Sequence, residues 1–85
     1  MNKLRKKTRD WLKHAEREEF EEILYKSKCT RLQVEILHMK FIDDYEVYKI
    51  SQILNRSETT IKAILTKAYD LIGKLLIKRR LILLQ

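Results

Sequence analysis

Proline is absent from the sequence and glycine occurs once, at Gly73. Turns between strands usually draw on Gly, Pro and Asn, so this shortage argues against a sheet protein and for helices joined by short links. There is one cysteine, Cys29. No disulfide can form within the chain, which fits a reducing compartment and a cytoplasmic location. No apolar run reaches the roughly 20 residues that a membrane span requires. The longest, near the C-terminus, is broken by Lys74 and by Lys78, Arg79 and Arg80. The charged N-terminus lacks the apolar stretch of a secretory signal. No glycine-rich phosphate loop exists. Cys29, His14 and His38 do not share a metal-ligand spacing, so no metal or cofactor is expected. Asp43 and Asp44 sit side by side in a link and read as turn residues rather than catalytic acids. No residue set supports an enzyme.

What remains is a chain of 85 residues, 45% hydrophobic and 36% charged, with a net charge of +7. It is long enough for one small core. Its bulk residues, Leu, Ile, Lys, Glu and Arg, are acceptable or good helix formers. The positive balance suits a polyanionic partner. The charge is unevenly placed. Lys3, Arg5, Lys6, Lys7 and Arg9 come first, with no acid among them. Glu16, Glu18, Glu19, Glu21 and Glu22 follow, then Asp43, Asp44 and Glu46. From Arg56 to Arg80 the cations prevail again, against Glu58 and Asp70 only.

Hydrophobic spacing predicts four helices in an all-α bundle. The first runs from about Lys3 to Tyr25 and carries Leu4, Trp11, Leu12, Ala15, Phe20, Ile23 and Leu24. The second opens at Thr30, an N-cap, and carries Leu32, Ile36, Leu37 and Met39 towards Phe41. The third, about Glu46 to Leu54, buries Val47, Ile50, Ile53 and Leu54. The fourth follows Ser57 and extends towards the C-terminus. Its Ile61, Ile64, Leu65, Ala68 and Ile72 form one apolar stripe.

The link between the third and fourth helices is Asn55-Arg56-Ser57. Asn tolerates the left-handed backbone that a tight helix exit requires. Ser57 can cap the next helix, and Glu58 stands where the helix dipole favours a negative charge. Two short helices separated by three such residues form a helix-turn-helix signature.

The segment TRLQVEILHMKFIDDYEVYKISQILNRSETTIKAILTKAYDLI, residues 30–72, resembles the fourth conserved region of bacterial sigma factors. Thr30, Arg31, Ile36, Leu37, Lys40 and Phe41 approximate that family's first helix. Ile50, Ser51 and Leu54 match its scaffold helix, with Ser51 at the small-residue position where two helices cross. Ser57, Thr60, Ile61, Lys62, Ile64, Lys67 and Ala68 match its recognition segment. The LuxR-type response-regulator module is close in pattern, and SETTIKAIL fits it almost as well. The resemblance covers about half the chain. It implies three parts: an N-terminal amphipathic helix over 1–27, a sigma-like helix-turn-helix domain over 30–72 and a C-terminal helical extension over 73–85.

The resemblance also implies double-stranded DNA as the partner, read by the fourth helix. The outer face of that helix holds Thr59, Lys62, Ala63, Thr66, Lys67 and Asp70. Thr and Lys can meet base edges and Ala63 a thymine methyl in a major groove. Arg56 and Lys62 stand where phosphates would lie. The candidate site is therefore Arg56, Ser57, Glu58, Thr59, Thr60, Lys62, Ala63, Thr66 and Lys67. Thr and Ala make no bidentate base contacts, each worth roughly 1–3 kcal/mol of discrimination, so a standard promoter preference does not follow. The chain lacks the sigma regions that melt DNA and bind the polymerase core. The expectation is a stand-alone transcription regulator of the kind a phage or mobile element carries.

Other readings stand beside this one. In sigma factors the equivalent region also grips RNA polymerase, so an adaptor for that enzyme without DNA readout is an alternative. So is a DNA-binding accessory in phage packaging or recombination. The same hydrophobic spacing also suits a helical bundle that binds no nucleic acid. The basic N-terminal run can grip phosphates or be a solvated end. The Glu16–Glu22 patch is a solvated face or a contact for a basic partner. The tail residues Ile72, Leu75, Leu76, Ile82 and Leu83 pack on the first helix or form a homodimer seam. Lys78-Arg79-Arg80 followed by Leu81–Leu84 is a weak membrane-surface pattern, and no membrane partner is expected.

Overall fold

The structure, a computed structural model, describes residues 2–83. Met1, at the head of the expected 1–27 segment, and Leu84 and Gln85, at the end of the expected 73–85 extension, lie outside the described residues. Helices α1 (Lys3–His14), α2 (Arg17–Lys26), α3 (Arg31–Phe41), α4 (Val47–Leu54) and α5 (Glu58–Lys78) make up the described chain, with no strand among the described residues. The all-α bundle read from the sequence is the fold observed.

Three of the helices, α1, α3 and α5, begin at a side-chain cap. Asn2 caps α1 by accepting from the Arg5 amide at 3.1 Å. Thr30 opens α3 with a reciprocal capping box. Its hydroxyl accepts from the Gln33 amide at 3.1 Å, and the Gln33 side-chain carbonyl oxygen accepts from the Thr30 amide at 2.8 Å. Ser57 opens α5 by accepting from the Thr60 amide at 3.1 Å. Glu18 and Glu19 lie in the first turn of α2, where the helix dipole favours them.

The long first helix expected over Lys3–Tyr25 is two helices. Ala15 and Glu16 take extended backbone, with ψ of 145° and 156°. Neither Pro nor Gly causes the break. At 3.6 residues per turn, the stripe of Leu4, Trp11, Leu12 and Ala15 and the stripe of Phe20, Ile23 and Leu24 are offset by about a third of a turn. One straight helix could not aim both at a single core. The kink does so: Leu12, Phe20, Ile23 and Leu24 are all buried.

α5 is the axis of the bundle and packs against each of the other four helices. Its stripe of Ile61, Leu65, Ala68, Tyr69, Ile72 and Leu76 is buried, with Ile36 and Leu37 of α3 and Ile50 of α4 in the same core. Ile64 and Leu75 flank it, half-buried. Phe41 joins the helices through rings: it lies 6.2 Å from Phe20 of α2 and meets Tyr69 of α5 edge-on at 6.3 Å. Ile53, expected in the core, is exposed. The short α4 offers one narrow stripe to the core, filled by Ile50 and Ser51 with Val47 and Leu54 at its edges.

α5 stops at Lys78 rather than running on to the C-terminus. Arg80 takes a left-handed conformation with φ of 58°, and the Leu81 amide bonds back to the Leu76 carbonyl at 2.9 Å. Ile72 and Leu76 of the expected tail seam are buried within the chain, whereas Leu81 and Leu83 are exposed. The sole glycine sits where α1 crosses α5. A methyl at Gly73 would lie 2.7 Å from Thr8 Oγ1 and 3.0 Å from Leu4.

Candidate nucleic-acid interface

The bend anticipated between α4 and α5 is present. Asn55 adopts the left-handed conformation, φ 53° and ψ 47°. The Arg56 amide reaches the Ser51 carbonyl at 2.9 Å and the Asn55 amide reaches the Gln52 carbonyl at 3.3 Å. This pair of bonds closes the helix end and turns the chain sharply. Ser51, at the α4 position matched to a small residue, is buried, and its hydroxyl donates to the Tyr48 carbonyl at 2.6 Å. Residues 55–57 then deliver the chain into α5 with Ser57 as its cap.

The candidate residues divide by what holds them. Arg56, Glu58, Thr59, Lys62, Ala63 and Lys67 are exposed. Ser57 and Thr60 are also exposed, but they use their hydroxyls on each other: Ser57 Oγ donates to Thr60 Oγ1 at 2.9 Å. Thr66 is half-buried, because the N-terminal end of α1 stands beside it: Asn2, Arg5, Lys6, Arg9, Thr66 and Tyr69 line one cleft of about 220 Å³. The face read as open from Thr59 to Asp70 is therefore open through its first turns and flanked by α1 afterwards.

Asp70 is not a free charge on that face. Arg5 grips it with Nε at 2.9 Å and Nη2 at 3.0 Å. This fork-on-carboxylate geometry holds the Asp70 carboxyl below its ordinary range, through the Arg5 hydrogen bonds first and the Arg5 and Lys74 charges after. The pair cancels the one acid in the middle of the cationic helix and ties α1 to it. Spacing within α5 could not show this, because the partners are 65 residues apart. The available signal was the unbroken basic run at residues 3–9.

α1 and α5 run in the same direction. Arg5 meets Asp70, Thr8 meets Gly73, and Trp11 lies in one cleft with Leu81. Lys7 donates to the Leu83 carbonyl. Among the described residues Lys6 and Arg9 form no ion pair, and both are exposed.

Two glutamates of the acidic patch have structural partners. In the acidic patch, Glu21 accepts from Arg17 Nε at 2.7 Å and lies 2.7 Å from His38 Nε2. Burial pushes its carboxyl up, but the hydrogen bonds from Arg17 and His38 prevail and bring it below its ordinary value. Glu22 pairs with Arg79 at 3.4 Å. Burial pushes the Cys29 thiol up to about 11. Among the described residues no three His, Cys, Asp or Glu side chains gather as a metal set, and no helix is long and apolar enough to cross a membrane.

Comparison of the chain with protein-family models, with curated proteins and with solved structures gives no match.

Proposed function

We propose that this protein binds double-stranded DNA through the helix-turn-helix of α4 and α5, as a transcription regulator of the sigma region 4 type. One observation carries the reading. The chain turns at a left-handed Asn55, restarts at a Ser57 cap, and leaves Thr59, Lys62, Ala63 and Lys67 exposed on the helix that follows. A helix with its side chains is about 10–12 Å across, and the major groove is about 12 Å wide. The first turns of α5 are the part open to enter it. Arg56 and Lys62 then face phosphate oxygens, and Thr59 and Ala63 face base edges. The Arg5–Asp70 pair supports the reading by removing the acid that would repel the backbone.

Affinity is expected to come mainly from phosphates and therefore to fall steeply with salt. Sequence preference is expected to be modest, because the exposed reading residues offer hydroxyls and a methyl. The test is fluorescence anisotropy of a labelled mixed-sequence duplex over a salt series. Lys62→Glu with Lys67→Glu abolishes binding and leaves the helical circular dichroism unchanged. Retention of binding by that double variant would show that another face docks. Selection of bound sites from random duplexes then defines the operator. Capture of core RNA polymerase by a chain that shifts no duplex would favour the adaptor reading instead.

A further inference from the structure

The cleft between the start of α1 and the middle of α5 has features that the helix-turn-helix does not use. Its lining is Asn2, Arg5, Lys6, Arg9, Thr66 and Tyr69. Arg5 is committed to Asp70. Lys6 and Arg9 are exposed cations one turn apart on the same helix, with no ion pair among the described residues. Tyr69 is 6% exposed, and its hydroxyl has no hydrogen-bond partner among the described residues. Buried tyrosine hydroxyls are normally paired, so an unpaired one beside two uncommitted cations suits an anionic oxygen. The neighbouring cavity across Arg9 is bordered by Lys13 and Lys40 but also by Asp10 and Asp44. Within the α1–α5 cleft, the cations that form no ion pair among the described residues are Lys6 and Arg9.

Position selects the anion. Thr66 lies on the same face of α5 as Thr59, Lys62 and Ala63, about 4.5 Å along the axis beyond Ala63. A helix seated in a major groove fills it, so whatever flanks the helix meets the phosphate walls. α1 flanks α5 at Thr66.

We propose that the α1–α5 cleft is a second DNA contact, in which Lys6, Arg9 and the Tyr69 hydroxyl hold a backbone phosphodiester at the edge of the groove that α5 enters. The inference rests on the DNA reading above. It makes the basic N-terminal run a backbone clamp that adds affinity and fixes register without reading sequence.

The test compares two doubly neutralised chains of equal net charge, Lys6→Gln with Arg9→Gln and Lys78→Gln with Arg80→Gln. The second pair lies at and just past the far end of α5, where Lys78 is about 18 Å from Thr66 by helix rise. All four positions are exposed, and circular dichroism confirms folding. Duplex affinity is measured over a salt series for both and for the parent chain. The Lys6/Arg9 variant flattens the slope of log K against log salt by about 0.9, the value for one phosphate that is no longer neutralised. The Lys78/Arg80 variant leaves the slope unchanged. Tyr69→Phe weakens binding by about tenfold, the worth of one hydrogen bond to a charged oxygen, without altering the slope.

Binding by the parent chain with equal slopes in both charge variants overturns this inference and leaves the helix-turn-helix reading in place. A Tyr69→Phe chain that binds as the parent does overturns the assignment of Tyr69 to the site. No duplex binding by the parent overturns both readings together.

Discussion

Replacing Gly73 with alanine tests the packing that places α1. In an exposed helix interior the change from glycine to alanine is worth about 1 kcal/mol of stability. Here the new methyl would lie 2.7 Å from Thr8 Oγ1 and 3.0 Å from Leu4 Cγ and Cδ1, well inside the roughly 3.5–4.0 Å of comfortable contact between carbon atoms. Thr8 is fully buried and β-branched, so its oxygen cannot swing aside freely. Overpacking of this kind costs about 1–3 kcal/mol. Gly73→Ala is therefore expected to lose about 1 kcal/mol net, a fall in Tm of about 4–8 °C for a chain of this size. Thr8→Ala alone removes a buried methyl, about 0.8 kcal/mol. It also removes a buried hydroxyl that has no partner among the described residues, whose desolvation costs about 1–3 kcal/mol. That variant should be close to neutral. In the double variant the methyl enters the space the threonine leaves, and the helix gain returns. The double variant should exceed the sum of the singles by about 1 kcal/mol or more. Urea and thermal unfolding of the four proteins, followed by circular dichroism, measure this. A stabilised Gly73→Ala chain, or strictly additive effects, would refute the close crossing of α1 on α5.

Three further predictions concern the turn, the thiol and the acid limb. Asn55→Gly should leave stability nearly unchanged, while Asn55→Val should cost about 1–2 kcal/mol for a left-handed β-branched residue; equal urea midpoints would contradict the observed turn. Cys29, with its thiol raised to about 11 by burial, should react with iodoacetamide at neutral pH at least about tenfold more slowly in the folded chain than in urea, where thiols ionise near their usual value of about 8.5; matched rates would refute its burial. Asp70 and Glu21 have folded-state values below their ordinary ones, so their contribution is fully present above the unfolded carboxylate range of about 4 and is lost as pH falls through the lower folded values. Asp70→Asn and Glu21→Gln should each flatten the acid limb of Tm against pH, and an unchanged limb in both would remove these carboxylates from the stability balance.

Much of the fold was legible because its causes lie within a few residues of one another. Thr30 and Gln33 cap α3 across three residues, and Ser57 caps α5 across the same span. Asn55 ends α4 as its tolerance of left-handed backbone predicts. The stripe from Ile61 to Ile72 lies inward because helical period alone places it on one side. The break at Ala15 and Glu16 was less visible, since neither residue is a helix breaker. Its cause is a phase shift between two apolar stripes, and that matters only when one core must accept both. Ile53 has the composition of a core residue, but the register of α4 turns it to solvent.

Local sequence is enough for a helical chain, the caps at Thr30 and Ser57, the bend between residues 54 and 58 and a last helix with an apolar side and a polar side. Hydrogen bonds across three or four residues and a repeat of 3.6 residues carry all of that. Which charges remain available depends on packing between helices far apart in the chain. Arg5 closes on Asp70 from 65 residues away, and Lys6 and Arg9 come to flank Thr66. Those encounters depend on where α1 lies against α5, which is set by burial of Leu12 and by the absence of a side chain at Gly73.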